Sequence, residues 1–282
     1  MEGSKRNRYL DAMGVDVWVR RPGAELAGIW VDPPVATAAE VVAGGEAAGL
    51  ASEVTPSGAT DAAAGEAAGL VPEAMPPPQP VSGDEVARWE SLRTEVLTCT
   101  KCPLHKSRTQ GVLGVGPHRT EWMVIGEAPG AEEDRRGEPF VGRAGHLLDA
   151  MLQAIGLNRG TNVYIANVLK SRPPNNRDPK PEEVAACLPY LMRQIALLQP
   201  RLMLAVGRIA AQNLLATDLS LSRLRGKVHH FGELNTPLIV TYHPAYLLRT
   251  PADKRKAWED LKFARTVFRQ LTDRAGTDGH LS

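Results

Sequence analysis

The sequence has few of the features of a membrane or secreted protein. It contains no apolar run of roughly 18 residues, the length needed to cross a bilayer. Its N-terminus also lacks an uninterrupted apolar stretch before a small-residue cleavage site. We therefore expect no membrane segment and no secretory signal, and we predict a cytoplasmic protein.

Cysteine and aromatic residues are also scarce. Aromatic residues make up 5% of the 282 residues, and there are three cysteines, an odd number that cannot all pair within one chain. Two of them, Cys99 and Cys102, form the motif CTKC. In a chain without an export signal, this spacing favours metal or redox chemistry over a structural disulfide.

Charge is divided unevenly along the chain. Residues 1–82 contain 5 basic and 11 acidic side chains, whereas the other 200 residues contain 28 basic and 21 acidic ones. A basic globular part beside an acidic segment suits a polyanionic partner such as nucleic acid.

The first 82 residues divide into two segments. Residues 33–82 are rich in Ala, Gly, Pro and Glu and contain GEAAGL twice, so we predict a disordered linker with too little bulky apolar surface to fold. Residues 1–32 contain the aromatic and apolar cluster RNRYLDAMGVDVWVRRPGAE. This segment is interpreted either as a terminal helix or as a short partner-binding peptide ahead of a flexible tether.

From residue 83 to about 275 the pattern is that of one α/β domain, followed by a flexible tail over 276–282. A helix capped by Asp84 is expected first, and further helices near 143–155, 181–198, 207–216 and 251–272. Apolar runs at 122–126, 163–168, 202–207 and 237–242 are typical of buried strands. This alternation predicts a three-layer α/β/α fold with a mostly parallel four-stranded sheet, which binds ligands beyond the carboxyl ends of its strands.

Three motifs follow predicted strands and therefore meet at that edge. They are GEAPGAEEDRRGEPFVG, NVLKSRPPNNRDP and YHPAYLLR. In the first, Gly126 lets the backbone pass close to a ligand, while Glu127 and Glu133 offer carboxylates. Asn167 and His243 each end a strand, where an amide and an imidazole would project into a cleft. Taken singly, each of these residues is as well explained by an ordinary turn.

Taken together and in this order, the three motifs resemble the family 4 uracil-DNA glycosylases over roughly residues 85–272. The resemblance implies a DNA repair hydrolase that acts on uracil-containing DNA. We expect it to be associated with the bacterial nucleoid, and a monomer is the simplest expectation because the sequence leaves the oligomeric state open. It assigns Phe140 to stacking on the flipped uracil, Asn167 to its pairing edge and His243 to the charge on the leaving base. Glu127 would hold the substrate or position water, with Ala128 beside it. The resemblance makes Glu133 and Asn176 second candidates for orienting the attacking water. It assigns Leu247 to a wedge that enters the base stack and Arg249 to a phosphate contact.

The resemblance also implies a [4Fe-4S] cluster held by four cysteines. Cys99, Cys102 and Cys187 occupy three of the ligand positions, but Ser171 stands at the fourth. A serine oxygen is a harder donor than a thiolate and suits such clusters poorly. Three outcomes stay open: a cluster with oxygen or solvent at one iron, a three-iron cluster, or no cluster.

Two further readings concern partners and scope. Residues 1–32 resemble the N-terminal peptide of the psi subunit of bacterial DNA polymerase III, which binds the clamp loader. The chain could thus be an inactive scaffold attached to the replication machinery. Alternatively, it could be an enzyme that also removes hypoxanthine or other deaminated bases.

Overall fold

A five-stranded sheet forms the centre of the protein in a computed structural model, which describes residues 83–278, with side chains to residue 273. The strands are β1 (Trp122–Gly126), β2 (Val163–Asn167), β3 (Leu202–Val206), β4 (His229–Phe231) and β5 (Thr236–Thr241). Their spatial order is β2-β1-β3-β5-β4, and all pairs are parallel except β4 with β5. The predicted fold class is confirmed, and its four strands match β1, β2, β3 and β5.

The fifth strand corrects the predicted number of strands. β4 contains only three residues, none of them buried, and pairs antiparallel at the edge of the sheet. A strand this short and polar carries no apolar pattern in the sequence, so periodicity does not reveal it.

Helices connect the strands on both faces of the sheet. The bounds are α1 (Gly83–Leu97), α2 (Ala131–Arg136), α3 (Arg143–Gln153), α4 (Pro181–Leu198), α5 (Arg208–Leu215), α6 (Leu221–Leu224), α7 (Pro244–Arg249) and α8 (Lys254–Asp278). The proposed cap at Asp84 was wrong, because this residue lies inside the first turn of α1 and pairs there with Arg88. The predicted final helix begins later than expected, after a 3-10 turn at Pro251–Asp253.

Alternate residues of each strand fill the two cores. On one face of the sheet, Met123 and Ile125 belong to the core formed with α1, α4 and α5. On the other face, Trp122 and Val124 belong to the core formed with α3, α7 and α8. Because the four parallel strands are buried on both faces, they read in the sequence as continuous apolar runs. The result is the expected three-layer α/β/α arrangement.

The strand order places a ligand site between β1 and β3. The chain leaves β1 towards β2 on one side and later returns to β3 on the other, and this reversal opens a crevice at the carboxyl ends of the strands. All described residues fall within one compact unit. The predicted segments 1–32 and 33–82 lie outside the described residues. Within the described range, no helix is long and apolar enough to span a membrane.

Candidate active site

A cavity of about 410 Å³ lies at this carboxyl edge, within the size range of small-molecule sites. The loops after β1, β2 and β5 build its walls. Predicted site residues among its lining are Glu127, Ala128, Glu133, Phe140, Asn167, Asn176, His243 and Arg249. The three separate motifs are therefore brought together in one cavity.

Gly126, at the end of β1, makes the close packing beneath the cavity possible. A Cβ atom at this position would lie 2.4 Å from Asn167 Oδ1 and 2.5 Å from Phe140 Cζ. Gly126 and Asn167 are direct neighbours in the register of β1 and β2. Any larger residue would thus displace the amide or the aromatic ring.

Asn167 is buried, and its amide oxygen has no hydrogen-bond partner among the described residues. A buried polar atom without a partner is uncommon, since it costs about 1–3 kcal/mol. The atom belongs to a side chain that lines the cavity.

His243 lies next to Phe140 in the lining of the cavity, with 5.7 Å between the ring centroids. Its Nδ1 accepts a hydrogen bond from the backbone N–H of Ala245 at 3.1 Å, because His243 caps the N-terminus of α7. The acceptor role of Nδ1 leaves the proton of the neutral ring on Nε2. Burial, and then the charge of Arg249, lower the pKa of His243 to about 4. At neutral pH His243 is therefore an uncharged donor through Nε2–H.

Glu127 follows β1 directly and lines the cavity with a partly buried carboxyl group. Burial, and then the negative charge of Asp178, raise its pKa to about 7, although Arg208 opposes this shift. Asp178 and Arg208 form an ion pair of 3.1 Å between the loop after β2 and the start of α5. Glu127 can therefore change its charge near neutral pH, as a group that handles protons requires.

Glu133 also lines the cavity, but its carboxylate is engaged by the backbone. Oε1 accepts the N–H groups of Val141 and Gly142 at 2.9 and 3.0 Å, and Oε2 accepts that of Gly130 at 3.1 Å. This side chain thus ties the start of α2 to the segment after Phe140.

The structure corrects the position of Leu247. The resemblance assigned Leu247 to a wedge that enters the base stack, but of the neighbours Leu247 and Leu248, Leu247 is fully buried in the core formed with α3 and α8. The segment is not a loop but the helix α7, which turns one of the two side chains inward. Leu248 is 37% exposed on its outer face.

Several residues of this region carried no signal in the sequence. Asp178 and Tyr246 line the cavity, and Lys170 is fully buried behind it. Lys170 Nζ donates to Asn167 O at 2.7 Å and to Gln194 Oε1 at 2.5 Å. These bonds hold the end of β2, while burial lowers the pKa of Lys170 to about 7. A buried lysine is invisible to sequence patterns because lysine normally marks the surface.

The loop that begins at Asn167 contacts one of the cysteines, because the backbone N–H of Lys170 donates to Cys187 Sγ at 3.5 Å. Cys102 and Cys187 are buried and Cys99 is partly exposed, and all three are free thiols. Burial raises the pKa of Cys187, and the nearby Cys102 and Cys99 raise it further. Within the described range, no three or more His, Cys, Asp or Glu side chains are grouped to hold a metal ion.

Ser171, which stands where the fourth cysteine is expected, is buried and hydrogen-bonded to the guanidinium of Arg108. Its hydroxyl accepts a hydrogen bond from Arg108 Nη1 at 2.6 Å, and Arg108 Nη2 donates to the carbonyls of Leu97 and Cys99 at 2.9 and 3.0 Å. Three thiols and this hydroxyl do not complete the four-thiolate set of a [4Fe-4S] cluster.

The cavity lies where the strand order of this α/β/α protein reverses, and an aromatic ring, an amide and a neutral imidazole line it. These groups define a site for a planar base that forms hydrogen bonds. Comparison with known proteins agrees. The model of the uracil DNA glycosylase superfamily matches residues 113–262. The chain belongs to this superfamily.

Three relatives illustrate the relationship. The type-4 uracil-DNA glycosylase of Archaeoglobus fulgidus is 47% identical over 60% of this chain and 87% of its own length. Those of Pyrobaculum aerophilum and Thermotoga maritima are 45% and 41% identical, over 61% and 64% of this chain and 90% and 95% of their own lengths. The family 4 resemblance read from the motifs is confirmed.

Proposed function

We propose that the cavity binds uracil turned out of DNA, and that Phe140, Asn167, His243 and Glu127 perform its excision. The chain is a uracil-DNA glycosylase, which hydrolyses the N-glycosidic bond and leaves an abasic site. A base inside a duplex cannot be reached, so it must be extruded at a cost of a few kcal/mol. Stacking on the Phe140 ring offsets part of that cost.

The single observation that carries the proposal is the unpartnered amide oxygen of Asn167. Uracil presents an N–H between two carbonyl groups, and an amide can accept from the former while donating to one of the latter. The oxygen that costs stability in the free protein thus gains its partner when the base enters.

Charge develops on the base as the bond breaks. The electron pair of the C1′–N1 bond passes to uracil, whose oxygens become negative, while the sugar becomes positive. Because the backbone N–H of Ala245 occupies Nδ1, His243 directs Nε2–H into the cavity as a donor to that charge. Such a donor is typically worth about 2.7–4 kcal/mol of the barrier.

Water then adds to C1′ and must lose a proton. We assign this proton to Glu127, whose pKa near 7 allows it to be ionised before the reaction and protonated after it. Glu133 is a poorer candidate, because three backbone N–H groups already occupy its oxygens.

The wedge is assigned to Leu248 in place of Leu247. A side chain that enters the base stack must reach the surface, and Leu248 is exposed whereas Leu247 is not. Arg249 ends the same helix at the rim of the cavity, where it would contact a phosphate. Asn176 lies exposed on the opposite rim, and its Oδ1 accepts from Arg172 Nε at 2.7 Å.

Excision from labelled oligonucleotides tests the proposal. Strands carrying uracil, hypoxanthine or no lesion are incubated with the full chain, and abasic sites are cleaved with alkali. We expect cleavage at uracil, with Asn167→Ala and His243→Ala slowing it about 10²- to 10³-fold while DNA binding persists. Wild-type rates in these variants would refute the assigned roles. Cleavage at hypoxanthine would show the broader scope.

The clamp-loader partner is proposed on the N-terminal segment alone, which resembles the psi peptide in MGVDVWVRRPGA. An aromatic anchor on a tether suits recruitment of the enzyme to replicating DNA. Removal of residues 1–32 should abolish co-purification with clamp-loader subunits and leave excision from free oligonucleotides unchanged. Unchanged co-purification would contradict this role. A chain that binds the clamp loader but excises nothing would instead be the inactive scaffold.

The iron–sulfur cluster stays a prediction. Cys99, Cys102 and Cys187 would hold it, and any contribution would be structural, because the loop from Asn167 runs through this region on its way to Ser171.

A further inference from the structure

Phe140, the proposed stacking residue, has an uncommon backbone conformation. Its φ is 54°, in the left-handed region that residues other than glycine rarely adopt. A bulky residue stays in such a conformation only where the surrounding structure holds it there. The orientation of the ring therefore depends on whatever fixes the two peptide groups around Phe140.

Arg159, in the turn before β2, holds the carbonyl groups of the peptide units on both sides of Phe140. Its Nη2 donates to Phe140 O at 2.8 Å and its Nη1 to Pro139 O at 3.0 Å. The guanidinium is itself held by Asp149, whose Oδ1 accepts from Nε at 2.8 Å, and by Glu138 at 3.2 Å. Only 18% of the Arg159 side chain is exposed, and these partners hold its guanidinium in one position.

Glu133 and Gly145 hold the peptide group after Phe140. Glu133 accepts the next two backbone N–H groups, those of Val141 and Gly142. At Gly145, a Cβ atom would lie 1.8 Å from Phe140 O, so α3 packs directly against this carbonyl. Among these contacts, the peptide group after Phe140 is held by Arg159, Glu133 and Gly145, whereas the one before it is held by Arg159 alone, through Pro139 O.

We propose that Arg159 is a positioning residue for base recognition, acting through the backbone of Phe140. The proposal rests on the proposed function, because it assumes that the Phe140 ring stacks on uracil. Without the two hydrogen bonds from Arg159, the backbone relaxes towards a common conformation and the ring leaves its place beside Asn167. Arg159 touches neither the base nor the reacting atoms.

A double-mutant cycle separates this role from a general structural one. Arg159→Met and Phe140→Ala are made singly and together in the full chain, and single-turnover excision is measured over a range of enzyme concentrations. We expect Arg159→Met to weaken half-saturation by uracil-containing DNA about tenfold, in line with the value of one base–aromatic stack. In the Phe140→Ala background the same change should have less than about a twofold effect, because the ring it positions is gone.

Two additional variants keep the test decisive. Arg159→Lys retains the charge but cannot form both bonds with the same fork geometry, so it should fall between wild type and Arg159→Met. Arg201→Met is the matched control, since Arg201 forms a 2.8 Å ion pair with Glu121 at the amino ends of the strands, away from the cavity. It should leave half-saturation unchanged. Thermal melting of each variant shows that it is folded.

Equal losses from Arg159→Met in both backgrounds would overturn the proposal, as would unchanged half-saturation in the single variant. Either result leaves the proposed function intact as long as wild type excises uracil in the same assay. Failure of wild type to do so would instead remove the proposed function.

Discussion

Replacing Asn167 with leucine should make the protein more stable and much less active. The amide oxygen of Asn167 is buried without a partner among the described residues, and the side chain is 2% exposed. An unsatisfied buried polar atom costs about 1–3 kcal/mol, and an apolar side chain of similar shape removes that cost. For a domain of this size, about 2 kcal/mol raises the melting temperature by roughly 4–8 °C.

The same substitution removes the amide that we propose reads the pairing edge of uracil. We expect excision to slow about 10²- to 10³-fold, the usual loss for one well-placed polar group. Thermal melting and single-turnover excision on the same preparations measure both effects. Stability should rise while activity falls, because a buried polar group that is kept for ligand binding destabilises the free protein.

Two controls distinguish this explanation from general packing effects. Asn167→Ala removes the amide but leaves space, so it should melt below the leucine variant. Asn162→Leu makes the same exchange at an asparagine that accepts from Asn158 N at 2.7 Å and donates to Gly156 O at 3.0 Å, and it should lower the melting temperature. A leucine variant at 167 that melts well below wild type, or excises uracil at the wild-type rate, would refute the reasoning.

Three other predictions concern charge, the wedge and the cysteines. The pH profile of kcat/KM should rise through about 7 as Glu127 loses its proton, and Asp178→Asn should move this rise to lower pH by removing a like charge. Leu247→Ala should lower the free energy of unfolding by about 2–5 kcal/mol because the side chain is buried. Leu248→Ala should instead preserve stability and slow excision from duplex more than from single-stranded DNA. Ser171→Cys should raise the iron and sulfide content of anaerobically purified protein by supplying a fourth thiolate.

Each of these has a result that contradicts it. A profile that is flat across pH 7, or is unmoved in Asp178→Asn, would remove Glu127 from the proton transfer. Equal melting temperatures for Leu247→Ala and Leu248→Ala would contradict the difference in burial between these two positions. Equal iron and sulfide contents in wild type and Ser171→Cys would show that residue 171 does not decide cluster binding. Cys187→Ser in both backgrounds is the control for adventitious iron.

The sequence by itself determined the layers and most of the site. Strands buried on both faces must be apolar throughout, so β1, β2, β3 and β5 are visible as short continuous runs. Residues that directly follow parallel strands must meet at one edge of the sheet. Gly126, Asn167 and His243 could therefore be placed together without a structure.

Tertiary structure alone decided what depends on contacts distant in the chain. Which of Leu247 and Leu248 is buried depends on how α7 lies against α3 and α8, which periodicity over six residues does not determine. Three hydrogen bonds join separate segments of the chain. The backbone N–H of Val141 donates to Glu133, Arg108 donates to Ser171, and Arg159 donates to the carbonyl of Phe140. Their geometry arises only when the packed sheet fixes those segments relative to one another.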